Sequence, residues 1–508
     1  MMEEEQLEEM ARTSLPEAAA QAAKRQSAWL RRIFSFPVMC MVLFVAVIFG
    51  YAPRGITIGE SDIWWHLLNA RTLLQYHSLS RVDTHTFTVN GMPWMSFEWL
   101  SEIPFFLAFK HAGLQGMVAL YATVMLLIIA GVYYRSWRAG ADCKDAAVAT
   151  LGAICIGCVS LCPRPLLFGW LCLTALLLVL DEFRRTSRLL WLLPPLFLVW
   201  INLHGSWIYG MMVLFLTIGA GLFQGEWGQV TATRWSSSQL RQLFLVAAAS
   251  IAALFVNPFG YKLVMYPFDF VLHQQAVMRG SQYWLPVDFS TWNGKLALAL
   301  IFAIVAAALF SARRWRLDEV LLVALALWSG LSHMRFLDFA AITIVPILAP
   351  RLKLFPPYEA EIDKPWLNAA IIVAVMACII LIFPTEQTLQ AQLDREYPKA
   401  ALEFMQRRGL TGRVFNSVEF GGYMEWNAPE LRPFLDGRGD IFIRNGILDD
   451  YTKAVNLQNP GQILNKYGIE YVLLERNWPL AYLLASSSEW HIIYHDNVAT
   501  LFARNQPS

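Results

Sequence analysis

Long apolar runs separated by short polar connections fill the first 384 residues. A helix of about 20 mostly apolar residues crosses a bilayer. The candidate segments are 34–52, 113–134, 144–161, 165–181, 189–203, 206–223, 240–257, 294–311, 317–331, 336–349 and 366–384, the fifth, ninth and tenth being short for a span. Two further stretches, 98–111 (EWLSEIPFFLAFKH) and 261–274 (YKLVMYPFDFVLHQ), read as amphipathic helices too short to span, lying at a membrane surface. The pattern changes past Pro384. Short strands are expected at RVFNS (413–417), RPFLDGRGD (432–440, ending in a turn), YVLLER (471–476), WHIIYHD and ATLFAR, with helices near 397–408, 447–455 and 478–486. Strands alternating with helices define a small α/β unit. The expectation is a polytopic α-helical membrane protein of about 11 transmembrane helices with a C-terminal extracytoplasmic α/β domain. Its parts would be a cytosolic tail (1–33), a transmembrane domain (34–384) with a large first outer loop (53–112), and a soluble domain (385–508).

Composition supports the membrane class. The 508 residues are 56% hydrophobic and 16% charged, where a soluble domain is about half apolar and a quarter charged. The net charge of +1 indicates no polyelectrolyte partner, so no nucleic acid is expected. The opening MMEEEQLEEM is acidic where a signal peptide would be basic, which points to a retained first helix. Seven cysteines lie in or beside apolar segments, which excludes a secreted disulfide scaffold. Cys155, Cys158 and Cys162 share a helical face, and their chemistry fits soft packing better than a metal.

The arginines and lysines order the connections. Lys24, Arg25, Arg31 and Arg32 precede the first segment. Arg135, Arg138 and Lys144 follow the second, Arg184, Arg185 and Arg188 the fourth, Arg313, Arg314 and Arg316 the eighth, and Arg351, Lys353 and Lys364 the tenth. If all eleven segments span, these loops share one side, which basic residues mark as cytosolic. The opposite side collects CPRP (162–165), NLHGS (202–206), SHMRF (332–336), the two long loops and the C-terminal domain.

Candidate chemistry lies on that opposite side. Glu60 and Asp62 stand two apart in IGESDIWWH. Such a pair can hold Mg²⁺ or Mn²⁺ through oxygen or supply a base. Equally, Ser61 or Asp62 can simply cap the helix that follows. His66 continues the same stretch, and Trp64 and Trp65 read as interface anchors. Arg164, His204, Lys262, His333 and Arg335 come from separate hairpin turns, and together they would suit an anionic phosphate headgroup. The alternative for them is snorkelling and pairing with the acids of the first loop. In the last domain, FGGYMEW calls for close backbone approach or a tight turn. DGRGD (436–440) reads as a turn with internal ion pairs, or as a surface that binds an acceptor or docks on the first loop. P-loop, GxGxxG, GxSxG and HExxH motifs are missing, so ATP, dinucleotide, serine-hydrolase and zinc-protease chemistry have no support.

An acidic motif soon after the first helix, in a large outer loop, resembles the GT-C class of integral membrane glycosyltransferases. The strings DIWWHL, W-x-x-x-EWL (94–100), PRPLLF (163–168), NLHGSWIYG (202–210), NPFGY (257–261) and FNSVEFGGYMEW…FLDGRGD resemble a bacterial group within that class. The resemblance implies transfer of a hexosyl or pentosyl group from a polyprenyl-phosphate or polyprenyl-diphosphate donor, at the outer face of the inner membrane. Asp62 or Glu60 would be the base or would help hold a divalent cation, and His66, Arg164, His204, Lys262, His333 and Arg335 would bind substrate. The partners expected are the lipid-linked donor and membrane lipids. A non-catalytic polyprenyl-lipid-binding or scaffold role in an envelope assembly is the competing reading. A transporter would place polar groups at helix midplanes, which are apolar here.

Overall fold

The computed structural model describes residues 29–57, 61–157, 162–273 and 282–505. A helix occurs in each of the eleven apolar segments. In chain order the helices up to residue 382 are α1 (Phe36–Thr57), α2 (Ile63–Tyr76), α3 (Trp99–Arg138), α4 (Cys143–Gly157), α5 (Leu166–Thr186), α6 (Leu193–Leu203), α7 (Trp207–Ala220), α8 (Ser237–Ala253), α9 (Tyr261–His273), α10 (Trp292–Phe310), α11 (Leu317–Ser332), α12 (Leu337–Leu352) and α13 (Pro365–Ile382). Among the described residues, four of them (α3, α5, α10 and α13) are long and apolar enough to cross a membrane. α10 and α13 also present bare apolar surface: Phe310 is 85% and Leu381 84% exposed. Water does not tolerate such contiguous faces, whereas lipid does. The chain is a helical membrane protein with a C-terminal α/β part.

The surface helix expected at 98–111 and the span expected at 113–134 form one 40-residue element, α3, broken at Ala112 and Gly113. Gly113 adopts φ +57°, open to glycine and strained for other residues. A helix restarting there has orphan N–H groups. The Glu386 carboxylate satisfies two of them, accepting from Leu114 N (3.0 Å) and Gln115 N (3.1 Å). A carboxylate also suits the positive end of a helix.

The C-terminal part contains α14 (Glu386–Leu393), α15 (Lys399–Arg407), α16 (Val418–Asn427), α17 (Gly439–Arg444), α18 (Ile447–Val455), α19 (Pro460–Lys466) and α20 (Pro479–Ala485). Two sheets occur. β1 (Gly225–Trp227), β2 (Val230–Ala232) and β3 (Trp315–Arg316) form a small one between helix ends. β4 (Val414–Asn416), β5 (Tyr471–Glu475), β6 (Trp490–His495) and β7 (Ala499–Arg504) form the other, in the order β4-β5-β7-β6. β4 and β5 are parallel, and the remaining pairs are antiparallel. RPFLDGRGD is not a strand. It touches the sheet only through a bridge between Val414 and Pro433, and then enters α17. Asp436 and Arg438 are both buried there and pair with each other and with side chains outside the sheet.

The cores do not divide at residue 384. The bundle core continues through Leu389, Tyr397, Met405, Phe420 and Met424. The core of the C-terminal domain takes in Trp65, Val89 and Trp94 from the first long loop. That loop docks by backbone as well, with Phe87 N donating to Pro433 O (3.3 Å) and Thr88 Oγ1 to Phe434 O (2.5 Å).

Candidate functional site

The stretch that opens α2 lies at this joint. Glu60 falls outside the described residues. Asp62 occupies the N-cap position but makes no capping hydrogen bond. Its Oδ1 accepts instead from the Trp65 indole at 3.0 Å, so the capping role open to Asp62 is not used. The backbone is pressed against the C-terminal domain: a Cβ on Gly437 would lie 1.6 Å from Asp62 Oδ1, and one on Gly422 would lie 2.9 Å from the Ser61 carbonyl. The two indoles are not bilayer-interface anchors. Trp64 is 4% and Trp65 6% exposed, and they enter different cores. Trp64 meets Tyr397 and Tyr423 edge-on, while Trp65 meets Trp94. Neighbouring helix positions point about 100° apart, so one dipeptide can serve two cores.

Next on α2, His66 is buried between Glu98, the N-cap residue of α3, and Glu102 in its first turn. Its Nδ1 lies 3.0 Å from Glu102 Oε1 and its Nε2 3.7 Å from Glu98 Oε2. Glu98 and Glu102 are four apart and therefore share a helix face. Asn69 Nδ2 (3.3 Å) and Ser96 Oγ (2.9 Å) also donate to Glu102 Oε1. Glu98 Oε1 faces His204 Nε2 at 3.2 Å. The Ser206 N–H donates to His204 Nδ1 at 2.9 Å, which leaves the proton of the neutral ring on Nε2, aimed at Glu98. Burial, then the charges of Arg335, His66 and Arg164, hold His204 well below the usual histidine range. Trp99 Nε1 donates to Asn202 Oδ1 (2.9 Å) and Asn202 Nδ2 to Val256 O (3.1 Å), tying NLHGS to the start of α3 and to NPFGY.

Arg164, His204 and Arg335 thus converge from three separate turns. Arg164 stacks over Tyr283 (4.7 Å) and Arg335 over Trp284 (4.1 Å). His333 Nδ1 lies 2.7 Å from Trp284 O, so it braces this wall and does not face Glu98. Lys262 is exposed in the first turn of α9, outside the cluster. The same helix contributes Tyr266, stacked on Phe97 at 4.2 Å. Its hydroxyl is pushed well above the usual tyrosine range by burial, then by Asp440 and Glu98.

A second polar group fastens the domain. Arg438, 3% exposed, pairs with Asp83 of the first loop (2.7 Å), with Glu425 (3.3 Å) and with Asp436. DGRGD therefore makes internal ion pairs and also docks on the first loop. Asp83 also accepts from Thr86 N (3.1 Å) and Thr86 Oγ1 (2.8 Å). Burial and then Asp436 push Glu425 well above the carboxylate range. Burial, then Arg438, push His85 down to about 4. Burial pushes Asp440 up to about 6 despite Arg444 and Arg438.

Among the described residues, no group of three or more His, Cys, Asp or Glu side chains has the arrangement to hold a metal ion. Of the expected cation ligands only Asp62 is described, and its Oδ1 is engaged by Trp65. Sequence reasoning underrated Glu98. It stands in the quoted W-x-x-x-EWL string, and its i, i+4 spacing to Glu102 marked a shared acidic face. What it faces was set by two other hairpins. Compared with known proteins, the chain matches no family model and no curated protein.

Proposed function

We propose that the protein is a membrane glycosyltransferase that moves a sugar from a polyprenyl-phosphate or polyprenyl-diphosphate donor to an acceptor at the outer face of a bacterial inner membrane. In this reading all eleven apolar helices lie in the membrane, the N-terminus is cytosolic and the C-terminal domain is extracytoplasmic. The observation that carries it is Glu98, a buried carboxylate between His66 and His204, with Arg164 and Arg335 close by. Guanidinium groups bind the donor phosphate and stabilise it as it leaves. Glu98 takes the proton from the acceptor hydroxyl as the hydroxyl oxygen bonds to the anomeric carbon and the carbon–phosphate oxygen bond breaks. Asp62 is the second candidate for this base. With Glu60 it is also the candidate holder of a Mg²⁺ or Mn²⁺ ion that would screen the phosphate.

Mass spectrometry of lipid co-purifying with the protein tests the donor class. A polyprenyl phosphate retained by the wild type and lost from Arg164→Gln/Arg335→Gln supports the assignment, and bulk phospholipid alone counts against it. Glu98→Gln is expected to keep the lipid and to lower transfer by about 10²–10⁴-fold. If Asp62→Asn does this and Glu98→Gln does not, the base is Asp62. If the lipid stays bound and neither variant changes function in cells, the protein is a non-catalytic lipid-binding component.

A further inference from the structure

At the end of the bundle remote from the C-terminal domain, a cavity of about 290 Å³ opens between the ends of α3, α5, α11 and α12. Its floor is apolar, made by Leu177, Leu180, Leu322, Pro346 and Ile347. Six arginines line it, against three carboxylates. The inner three are matched: Arg135 Nε pairs with Asp181 (2.8 Å), Arg184 with Asp318 (2.9 Å), and Arg316 with Asp318 (3.1 Å) and Glu319 (3.6 Å). Glu319 is further neutralised by Arg351 at 2.6 Å. The rim differs. Arg138 reaches Glu182 outside the lining (3.2 Å), Arg185 donates to Arg138 O, and Arg313 donates to Ala139 O at 2.7 Å. Two rim guanidinium groups therefore spend their hydrogen bonds on carbonyls at the end of α3, and their charge adds to the cavity.

Basic residues at this end of a bundle serve membrane orientation wherever they point. Orientation alone does not explain why arginines from three connections turn toward one void, because like charges gathered in a shared site repel. We infer that this cavity binds a phosphate-bearing ligand, with its phosphate on the Arg138, Arg185 and Arg313 rim and any attached apolar portion on the leucine floor. Guanidinium forks match phosphate oxygens bidentately, and the volume lies at the lower end of small-molecule sites. The ligand is a lipid headgroup phosphate or a soluble phosphate ester. Its site shares no residue with the Glu98 cluster, so the two assignments fail or stand separately.

The test uses the full-length protein. In nonionic detergent, the unfolding midpoint is measured with and without inorganic pyrophosphate. In a second arm, the protein is reconstituted in phosphatidylcholine vesicles with or without phosphatidylglycerol. The variant Arg138→Gln/Arg313→Gln removes two exposed rim charges, and Arg241→Gln on α8 removes one charge away from the cavity. Stabilisation by pyrophosphate that weakens about tenfold in apparent affinity in the rim variant, and persists in Arg241→Gln, identifies a soluble phosphate ligand. Stabilisation by phosphatidylglycerol alone, lost in the rim variant, identifies a lipid headgroup. The proposal is overturned if neither probe shifts the midpoint, if the shift survives in the rim variant, or if Arg241→Gln removes it equally. Should the double variant not fold, Arg313→Gln alone carries the same comparison.

Discussion

The two ends of the helical bundle handle charge in opposite ways. At the end capped by the C-terminal domain, acids and their basic partners are buried together in small clusters: Glu98 with His66 and His204, Asp83 and Asp436 with Arg438. At the other end, arginines outnumber acids around an apolar-floored cavity, and two rest on helix-end carbonyls. Closing one end with a folded domain removes water, and charge there must be balanced within the protein. The other end can carry a surplus and offer it to an anion. Removing a charge should therefore cost much in the buried pairs of the first end and little on the exposed arginine rim of the second.

The largest effect is expected at Arg438. Arg438→Ala strands Asp83, Asp436 and Glu425 in a dry site and should cost about 3–5 kcal/mol. Denaturant unfolding, together with protease sensitivity of the C-terminal domain, reads this out. The rim variant Arg138→Gln/Arg313→Gln should unfold like the wild type, and equal losses at the two ends would erase the contrast.

Acidification should strain the capped end next. His85, near pKa 4 when folded, titrates near ~6.5 when unfolded, so the unfolded chain binds more protons between those values. Its contribution is complete above about pH 6.5 and lost as pH falls toward 4. Asp440, near 6 when folded and ~3.9 when unfolded, acts in the opposite sense: stability is present at low pH and lost as pH rises toward 6. Unfolding free energy measured across pH 4–7 should lose its acid-side decline in His85→Gln. In Asp440→Asn the decline should steepen. An unchanged profile in both variants would mean that neither group is buried as described.

A smaller effect is expected at the hinge of α3. Glu386→Ala removes the acceptor for Leu114 N and Gln115 N and should cost about 1 kcal/mol in chemical denaturation. Smallest is the pair of Arg444 with Asp269, both partly in solvent. A double-mutant cycle to alanine should give a coupling of about 0–1 kcal/mol. A much larger coupling would extend the charge matching of the capped end out to its surface.

Much of the local structure was legible. The helices expected near 397–408 and 447–455 and the strands expected at 413–417, 471–476, 490–496 and 499–504 all correspond to elements, most of them slightly shorter than expected. The two glycines of FGGYMEW do mark close backbone approach, although inside a helix. RPFLDGRGD misled because its apolar start resembles a strand, while Arg438 answers to Asp83 in a distant loop. Trp64 and Trp65 misled because aromatic pairs beside apolar helices are common at bilayer interfaces. Here the C-terminal domain covers them. Of the site residues expected, Arg164, His204, Arg335 and His66 come together, His333 stands behind them, and Lys262 stays outside.

The sequence by itself determined what depends on near neighbours: helices wherever apolar runs are long, an α/β pattern after Pro384, and basic connections after alternate segments. Hydrophobic periodicity and helix hydrogen bonding act over a few residues, so they can be read along the chain. Only the tertiary structure decided which carboxylate sits between two histidines, which core receives each of two adjacent tryptophans, and which arginines face a cavity. Those outcomes depend on groups far apart in sequence meeting in a site with little water, where each buried charge must find its partner.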